Sequence, residues 1–203
     1  MNESLPHAAP GDWVAFDFDG TLTRHDTLLP FLRQVLGTAR LARVLALEAP
    51  WLAAYASRLV SNEAAKVRIL RRALGGLHRD ELHAQGAEFA RRRVPRMLRE
   101  DRLRRLREHL DAGQRCVLVT ASLTLYTRPW GVAQGFTEVI GSELEFDAEG
   151  RAIGSLAGGN CWGPEKERRL RQLLGGAPLS EAYGDSRGDR EMLRMARKAN
   201  LFA

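Results

Sequence analysis

Four short apolar segments, each ending in polar residues, are spread along the chain. They read "WVAFDF" from residue 13, "RCVLVTAS" from residue 115, "TEVIGS" from residue 137 and "EAYGD" from residue 181. Runs of this length, rich in β-branched, aromatic and small residues, predict buried strands. The final "ANLFA" predicts one more strand at the edge of the same sheet.

The segment from residue 28 to residue 110 has a different pattern, with apolar positions recurring every three or four residues. This is the period of an amphipathic helix. Breaks in the pattern divide the segment into several helices, and they fall at Gly37, Pro50, Gly75–Gly76 and Pro95.

Further elements are predicted beyond residue 122. A helix follows the second strand and ends near Pro129, another begins at about Pro164, and a last one lies near Arg190. The alternating segment "LEFDAEGRAIGSL" turns at Ala148-Glu149-Gly150, which predicts a β-hairpin. Strands separated by helices indicate an α/β fold in which a parallel sheet carries helices on both faces.

Length and composition limit the possible classes of protein. A chain of 203 residues suits one domain with a modest insertion, and 44% hydrophobic with 28% charged residues excludes a disordered or fibrous chain. Two cysteines make no disulfide framework, so we expect a cytoplasmic protein. The first residues, "MNESLPHAAPGDW", lack the apolar core of a secretory signal.

No run of about 18 apolar residues suggests a membrane-spanning helix. The nearest approach is "VLALEAPWLAAYA", residues 44–56, interrupted by Glu48 and Pro50. We interpret this segment as a buried helix pair, with an interfacial membrane segment as the alternative.

The net charge of +6 comes almost wholly from arginine. Much of it lies in "RRRVPRMLREDRLRRLRE", residues 91–108. The first interpretation of this run is a solvated helical face, and the alternative is an attractive field for an anionic substrate or an anionic membrane surface. Nucleic acid is not expected as a partner, because few aromatic residues interleave the arginines.

Polar residues capable of chemistry follow three of the predicted strands. Asp17 and Asp19 end the first, Thr120 ends the second, and Asp185 and Asp189 follow the fourth. Because ligands bind at the carboxyl ends of the strands in open α/β sheets, these groups should converge there. Four carboxylates repel one another unless a cation lies between them, and oxygen ligands favour Mg²⁺. The five histidines show no zinc-site spacing.

This set of residues permits phosphoryl transfer. A carboxylate at a magnesium site can act as a nucleophile, and a second carboxylate can protonate the leaving group and then activate water. The Thr120 hydroxyl and the amides that follow it could hold phosphate oxygens, while Lys166, in "GPEK", could neutralise their charge.

The four motifs together resemble those of the haloacid dehalogenase superfamily, in the subfamily IB branch of phosphoserine phosphatase-like hydrolases. They are "DFDGT" at 17–21, "VLVTAS" at 117–122, "GPEK" at 163–166 and "GDSRGD" at 184–189. The resemblance runs from Val14 to about Ala196. It implies a Rossmann-like core domain made of residues 1–27 and 111–203, and a helical cap domain made of residues 28–110 that closes over the site.

The resemblance also implies the roles of the acids and the lysine. Asp17 corresponds to the nucleophile and a metal ligand. Asp19 corresponds to the general acid/base, and it also binds the metal through its backbone carbonyl. Asp185 corresponds to a further metal ligand and Lys166 to a catalytic lysine that faces the phosphate. Asp189 corresponds to a supporting acid, with capping of the last helix as the alternative.

Other residues correspond to the family's substrate-binding positions. Gly20, Thr120, Ala121 and Ser122 are expected to bind phosphate, although Ser122 could instead cap the following helix. Asp26 stands where phosphoserine phosphatases carry a glutamate that recognises the substrate amine. Capping of the first helix by Asp26 or Thr27 is the alternative. Gly188 stands where those enzymes usually carry asparagine.

The function expected from these residues is a Mg²⁺-dependent phosphatase that works through an aspartyl-phosphate. The expected substrate is a small soluble ester such as phosphoserine or histidinol phosphate. One alternative is a lipid phosphate such as phosphatidylglycerophosphate, handled at the membrane surface. An alternative of another class is a non-catalytic phosphate-binding protein. The oligomeric state is not indicated by the sequence.

Overall fold

A computed structural model describes residues 12–57 and 59–202 of the protein. The amino-terminal segment in which no secretory signal was predicted lies almost wholly outside the described residues. In chain order the elements are β1 (Trp13–Phe16), α1 (Leu28–Leu36), α2 (Thr38–Ala56), α3 (Asn62–Leu74), α4 (Arg79–Arg92), α5 (Glu100–Asp111), β2 (Arg115–Leu123), α6 (Thr124–Gln134), β3 (Glu138–Phe146), β4 (Ala152–Ala157), α7 (Pro164–Leu174), β5 (Leu179–Gly184), α8 (Arg190–Met195) and β6 (Lys198–Leu201). Short 3-10 helices span Val94–Met97 and Arg187–Asp189.

The strands form one sheet in the order β4-β3-β2-β1-β5-β6. All neighbouring pairs are parallel except β3 and β4, which form the predicted antiparallel hairpin. The α/β fold class is therefore confirmed, and so is the final strand as β6. β1 and β5 are neighbouring parallel strands, so their carboxyl ends lie side by side at the same edge of the sheet.

Helices cover both faces of this sheet, as predicted. On one face, Val14 and Phe16 of β1 belong to a buried cluster with Tyr126 of α6. On the other face, Ala15 packs in a cluster with Leu170 of α7 and Met192 of α8. Successive side chains of a strand point to opposite faces, so one short strand contributes to both layers.

The helices α1 to α5 are inserted between β1 and β2 and share the core of the sheet. Phe31 and Phe89 of these helices are fully buried in the same cluster as Phe16. The ring of His109, near the end of α5, makes edge contacts with Phe16 and Tyr183 at centroid distances of 5.9 and 5.6 Å. The hydrophobic core is thus continuous across the predicted boundary, and the division into core and cap stays a prediction.

Two prolines do not interrupt helices where the sequence predicted. Pro50 lies inside α2 and Pro129 lies inside α6. A proline removes one helical N–H donor, and its cost can be offset by tertiary packing. In α6 that packing comes from the buried side chains of Tyr126 and Trp130, on either side of Pro129. Residues 44–56 accordingly belong to one continuous helix, so the predicted helix pair is wrong.

The third predicted strand and the first arm of the hairpin are one element. β3 pairs with β2 through Val139 and Ile140, and with β4 through Glu143 and Leu144. Gly141 is an ordinary residue of this continuous strand, because nothing in the local backbone requires a turn there. Within the described ranges, no helix has the length and apolar character needed to cross a membrane.

Candidate active site

Three aspartates converge at the carboxyl edge of β1 and β5. Asp17 follows β1, Asp185 follows β5, and Asp189 ends the 3-10 turn that comes next. One carboxylate oxygen from each lies within 4.8 Å of the others. The parallel pairing of β1 with β5 causes this approach, since both strands deliver their next residue to the same edge. We call Asp17, Asp185 and Asp189 the acid group.

Lys166 joins the acid group from the first turn of α7. Its side chain is 2% exposed, and its Nζ donates to Oδ1 of Asp17 at 2.5 Å and to Oδ1 of Asp189 at 2.6 Å. Burial disfavours the ammonium form, but the carboxylates of Asp17 and Asp189 outweigh burial and raise the pKa of Lys166. The lysine is therefore held in its charged form.

The acids of this group carry more negative charge than Lys166 compensates. Burial raises the pKa of Asp17 to about 7 even though Lys166 lowers it, and the Asp189 carboxylate raises it further. Burial and then Asp189 also raise the pKa of Asp185. When all three acids are ionised, one ammonium group leaves two negative charges uncompensated. A divalent cation would offset them, and a donor set made only of oxygen fits Mg²⁺.

Asp189 organises the turn that carries it. Its Oδ2 accepts hydrogen bonds from the Ser186 amide at 2.9 Å, the Ser186 hydroxyl at 2.7 Å and the Asp185 amide at 3.2 Å. This carboxylate makes no capping bond to α8. The capping alternative for the last helix is therefore wrong, because the side chain is engaged by Lys166 and by its own 3-10 turn.

Asp19 lies in a separate polar pocket. Its Oδ1 accepts from the amide and the hydroxyl of Thr27 at 2.9 and 2.7 Å, and its Oδ2 accepts from the Ser122 hydroxyl. Burial, followed by the charge of Asp26, raises the pKa of Asp19 to about 6. A carboxyl group with such a pKa can give and take a proton near neutral pH.

Three of the four predicted phosphate-binding residues lie at the end of β2, namely Thr120, Ala121 and Ser122. Thr120 is buried, and its Oγ1 accepts from the Ser122 amide at 2.9 Å. The Ser122 hydroxyl donates to Asp19 and accepts from the Tyr126 hydroxyl at 3.0 Å. Leu123 occupies the cap position of α6, so capping by Ser122 is wrong. The direct contact of these residues with phosphate stays a prediction.

Lys66 of α3 is a half-buried cation that the sequence did not single out. Its Nζ donates to the backbone oxygen of Ala121 and to Oδ1 of Asn160 at 2.9 Å. Burial lowers the pKa of Lys66 to about 8, although the charges of Asp19 and Asp26 oppose this change. In the sequence, nothing distinguishes a helix lysine that faces the protein interior from one that faces solvent.

Two other predicted features have structural explanations. Asp26 is exposed, and its Oδ1 accepts from the Leu28 amide, the first of α1, at 2.9 Å. Thr27 occupies the cap position of α1, as one alternative interpretation proposed, but its side chain makes no capping hydrogen bond. Recognition of a substrate amine by Asp26 stays a prediction. At Gly188, a Cβ atom would lie 2.3 Å from Nε1 of Trp162, so this tryptophan fills the space that an asparagine would need.

Gly20 allows the loop that follows β1 to approach the acid group closely. It has φ of +80°, and a Cβ atom there would lie 2.0 Å from Oδ2 of Asp185. The next residue, Thr21, donates its hydroxyl to Oδ1 of Asp185 at 3.2 Å. An alanine at position 20 would therefore strain the backbone and displace a carboxylate of the acid group.

We expect Gly20→Ala to lower the free energy of unfolding by about 3 kcal/mol or more, from backbone strain plus the clash with Asp185. The matched control is Gly37→Ala, because Gly37 has a similar φ of +76° but no atom of the described residues lies within 4 Å of the added Cβ. That control should lose only about 1–2 kcal/mol. Urea unfolding measures both values, and equal losses would contradict the steric role of Gly20.

The sequence is similar to known proteins over most of its length. The family model described as haloacid dehalogenase-like hydrolase matches residues 14–194. Protein CicA of Caulobacter vibrioides is 37% identical over 184 residues, which are 90% of this chain and 82% of CicA.

Solved structures also share the fold. A protein of unknown function from Bordetella pertussis Tohama I is 26% identical with a TM-score of 0.81, over 94% of this chain and 89% of that one. A phosphoserine phosphohydrolase-like protein from Francisella tularensis subsp. tularensis SCHU S4 is 16% identical with a TM-score of 0.69. That match covers 95% of this chain and 87% of the other.

Proposed function

The chain belongs to the haloacid dehalogenase-like hydrolase family, and on that premise we propose that it is a phosphatase acting on a phosphate monoester through an aspartyl-phosphate. One observation carries the proposal. A buried carboxylate, Asp17, is paired with Lys166 inside a group of oxygen donors, while a second carboxyl, Asp19, is held apart with a raised pKa. These are the two different acids that this chemistry requires.

Asp17 is the nucleophile in this mechanism. Lys166 holds its Oδ1, which leaves Oδ2 to attack the phosphorus atom. The new bond joins Oδ2 to phosphorus as the bond from phosphorus to the ester oxygen breaks. Water then attacks the phosphorus atom of the aspartyl-phosphate, which releases inorganic phosphate and restores the Asp17 carboxylate.

Asp19 moves the protons in both steps. As an acid it gives its proton to the departing ester oxygen, and as a base it takes a proton from the attacking water. Thr27 at Oδ1 and Ser122 at Oδ2 fix the position of its carboxyl group. The Asp19 side chain is thereby kept out of competition with Asp17 for the phosphorus atom.

Charge on the phosphate is met by the surrounding groups. Oγ1 of Thr120 accepts from the Ser122 amide, so its own proton is available to a phosphate oxygen. Lys166 lies between Asp17 and the turn carrying Asp189 and supplies a fixed positive charge. Mg²⁺, for which Asp17, Asp185 and the Asp19 backbone carbonyl are the proposed ligands, supplies further neutralisation of the phosphoryl oxygens when bound.

The size of the neighbouring cleft favours a small soluble ester as the substrate. A cavity of about 720 Å³ opens beside Gly188 and is lined by residues of α2, α3 and the turns near the acid group, including Tyr55, Asn62, Trp162 and Arg187. Cavities of this size suit metabolite-sized ligands. Phosphoserine and histidinol phosphate are accordingly the first esters to test, in line with the phosphoserine phosphohydrolase-like relative.

A lipid phosphate is the second candidate, because an exposed apolar stripe leads to the cleft. Leu47, Trp51 and Tyr55 recur every four residues along one face of α2 and are 38–53% exposed. Leu59 beyond them is 80% exposed, and Tyr55 also lines the cleft. An ester with an apolar tail could place its phosphate at the acid group and its tail along this stripe.

The first test is phosphate release from phosphoserine, histidinol phosphate and micellar phosphatidylglycerophosphate. With Mg²⁺ present we expect turnover, and with excess EDTA we expect a loss of about 10²-fold or more, because the acid group then keeps its uncompensated charge. Turnover that is indifferent to EDTA would contradict the proposed cation requirement. No release from any ester would favour a non-catalytic phosphate-binding protein.

Serine substitutions in the stripe separate the two substrate classes. If the substrate is a small ester, Leu47→Ser with Leu59→Ser should leave turnover of every ester within about twofold of the parent. If it is a lipid, this variant should lose turnover of the micellar ester by fivefold or more. The matched control is Val132→Ser, which changes an exposed apolar residue of α6 that is 66% exposed and does not line the cleft.

A further inference from the structure

Seven of the nine arginines of residues 91–108 fall into two groups in the structure. The members of one group lie close to carboxylates of neighbouring residues. Arg91 and Arg92 both contact Glu88, Arg105 contacts Glu108 at 2.9 Å, and Arg102 contacts Asp101 at 3.3 Å. The interpretation as a solvated helical face describes this paired group.

The second group lines a groove. Arg96, Arg104 and Arg107 surround a cavity of about 860 Å³, together with Arg24 from the loop that follows Asp19. None of these four guanidinium groups makes an ion pair with any carboxylate in the part of the chain that the structure describes. We call this cavity the arginine groove.

Backbone pairing brings these arginines together from two distant segments. Thr23 forms an antiparallel bridge with Leu98, the Arg24 amide donates to the Met97 oxygen, and the Arg99 amide donates to the Leu22 oxygen, both at 2.8 Å. The loop that carries the candidate catalytic acids is therefore attached to the 3-10 turn before α5. The convergence of like charges is a product of the fold and not of helical spacing alone.

The arginine groove has an excess of positive charge and a buried hydrogen-bond donor that lacks an acceptor among the described residues. Four guanidinium groups line it against one carboxylate, that of Glu100. Trp130 also lines it, and the buried Nε1 of that indole has no hydrogen-bond partner among the residues that the structure describes. In an adjoining cavity of about 610 Å³, Arg99 has a buried Nε without a hydrogen-bond partner in the described part of the chain. Buried donors of this kind are rare in folded proteins unless a ligand or water satisfies them.

We propose that the arginine groove is a binding site for a soluble anion that carries two or more phosphate groups. Guanidinium groups match phosphate oxygens in geometry and bind them by paired hydrogen bonds. A lining charge of about three positive units exceeds that of one phosphate and matches a linear di- or triphosphate. The groove is concave, which suits a compact ligand, and it contains none of the acid group, so the proposal does not depend on the proposed phosphatase activity.

The test is calorimetric titration with sodium tripolyphosphate in a metal-free buffer of low ionic strength. The variant Arg104→Gln with Arg107→Gln should bind at least tenfold more weakly than the parent. The matched control, Arg91→Gln with Arg92→Gln, removes the same charge from the same arginine run, yet it should weaken binding less than twofold. Circular dichroism checks that both variants remain folded.

Two further arms identify the site and the source of the phosphate. Asp17→Asn should bind tripolyphosphate within twofold of the parent, because the acid group is not the binding site. Equal weakening by the two arginine pairs would reduce the effect to net charge and overturn the proposal. Binding to phosphatidylglycerol vesicles without binding to tripolyphosphate would also overturn it, in favour of a membrane surface.

Discussion

Replacing Asp17 by asparagine is expected to lower phosphate release by about 10⁴-fold or more. The amide has nearly the same shape as the carboxylate, but it cannot form the aspartyl-phosphate. The covalent step of the proposed mechanism is therefore lost. The loss should appear in kcat for every ester in the panel, because all of them share this step. Single-turnover phosphate release measures it directly.

The matched control for this substitution is Asp80→Asn. It removes one carboxylate by the same chemical change from a side chain in α4 that is 88% exposed, and it should leave turnover unchanged. Mass spectrometry of protein that is denatured after a short reaction should also detect the covalent phosphate in the parent protein and in Asp80→Asn. A phosphorylated Asp17→Asn protein would refute the assignment of the nucleophile.

Asp19→Asn should differ from Asp17→Asn in its dependence on the leaving group. An aryl phosphate such as 4-nitrophenyl phosphate needs little protonation of its leaving oxygen, so its cleavage step should survive better than that of an alkyl phosphate. Phosphoenzyme should then accumulate, because its hydrolysis still needs the base. Equal losses on aryl and alkyl esters would argue against an acid role for Asp19.

Much of the sheet was predictable from the sequence because each strand is a short apolar run with its own polar end. The secondary-structure predictions that were wrong concern residues whose conformation depends on long-range packing. Pro129 lies inside α6 because Tyr126 and Trp130 are buried beside it, and nothing local to the proline shows this. β3 continues past Gly141 because it pairs with β2 on one side and β4 on the other.

The convergence of the candidate site was predictable for a different reason. Asp17 and Asp185 must meet once β1 and β5 are parallel neighbours, so motif order and strand order together predict the acid group. The hydrogen-bond donors to Asp19 were not predictable. Thr27 and Ser122 carry ordinary hydroxyl groups, and only the close approach of the α1 start to the end of β2 gives them a shared partner.

Replacing Lys166 by methionine is the second large effect that we expect. The methionine side chain is unbranched and only one atom shorter, but the carboxylates of Asp17 and Asp189 lose the ammonium group between them. Removing one partner of a buried ion pair costs about 3–5 kcal/mol of unfolding free energy. For a chain of this size, that corresponds to a melting temperature lower by about 6–20 °C. Turnover should also fall by about 10²–10³-fold.

Lys198→Met is the matched control, since Lys198 also pairs with a carboxylate, that of Glu181, but is 47% exposed. It should cost less than about 1 kcal/mol. Adding Asp189→Asn to Lys166→Met removes one of the two stranded charges, so the double variant should regain part of the lost stability. Turnover should not return with it, because the positive charge beside Asp17 is still missing. Recovery of both stability and turnover would show that Lys166 serves only the fold.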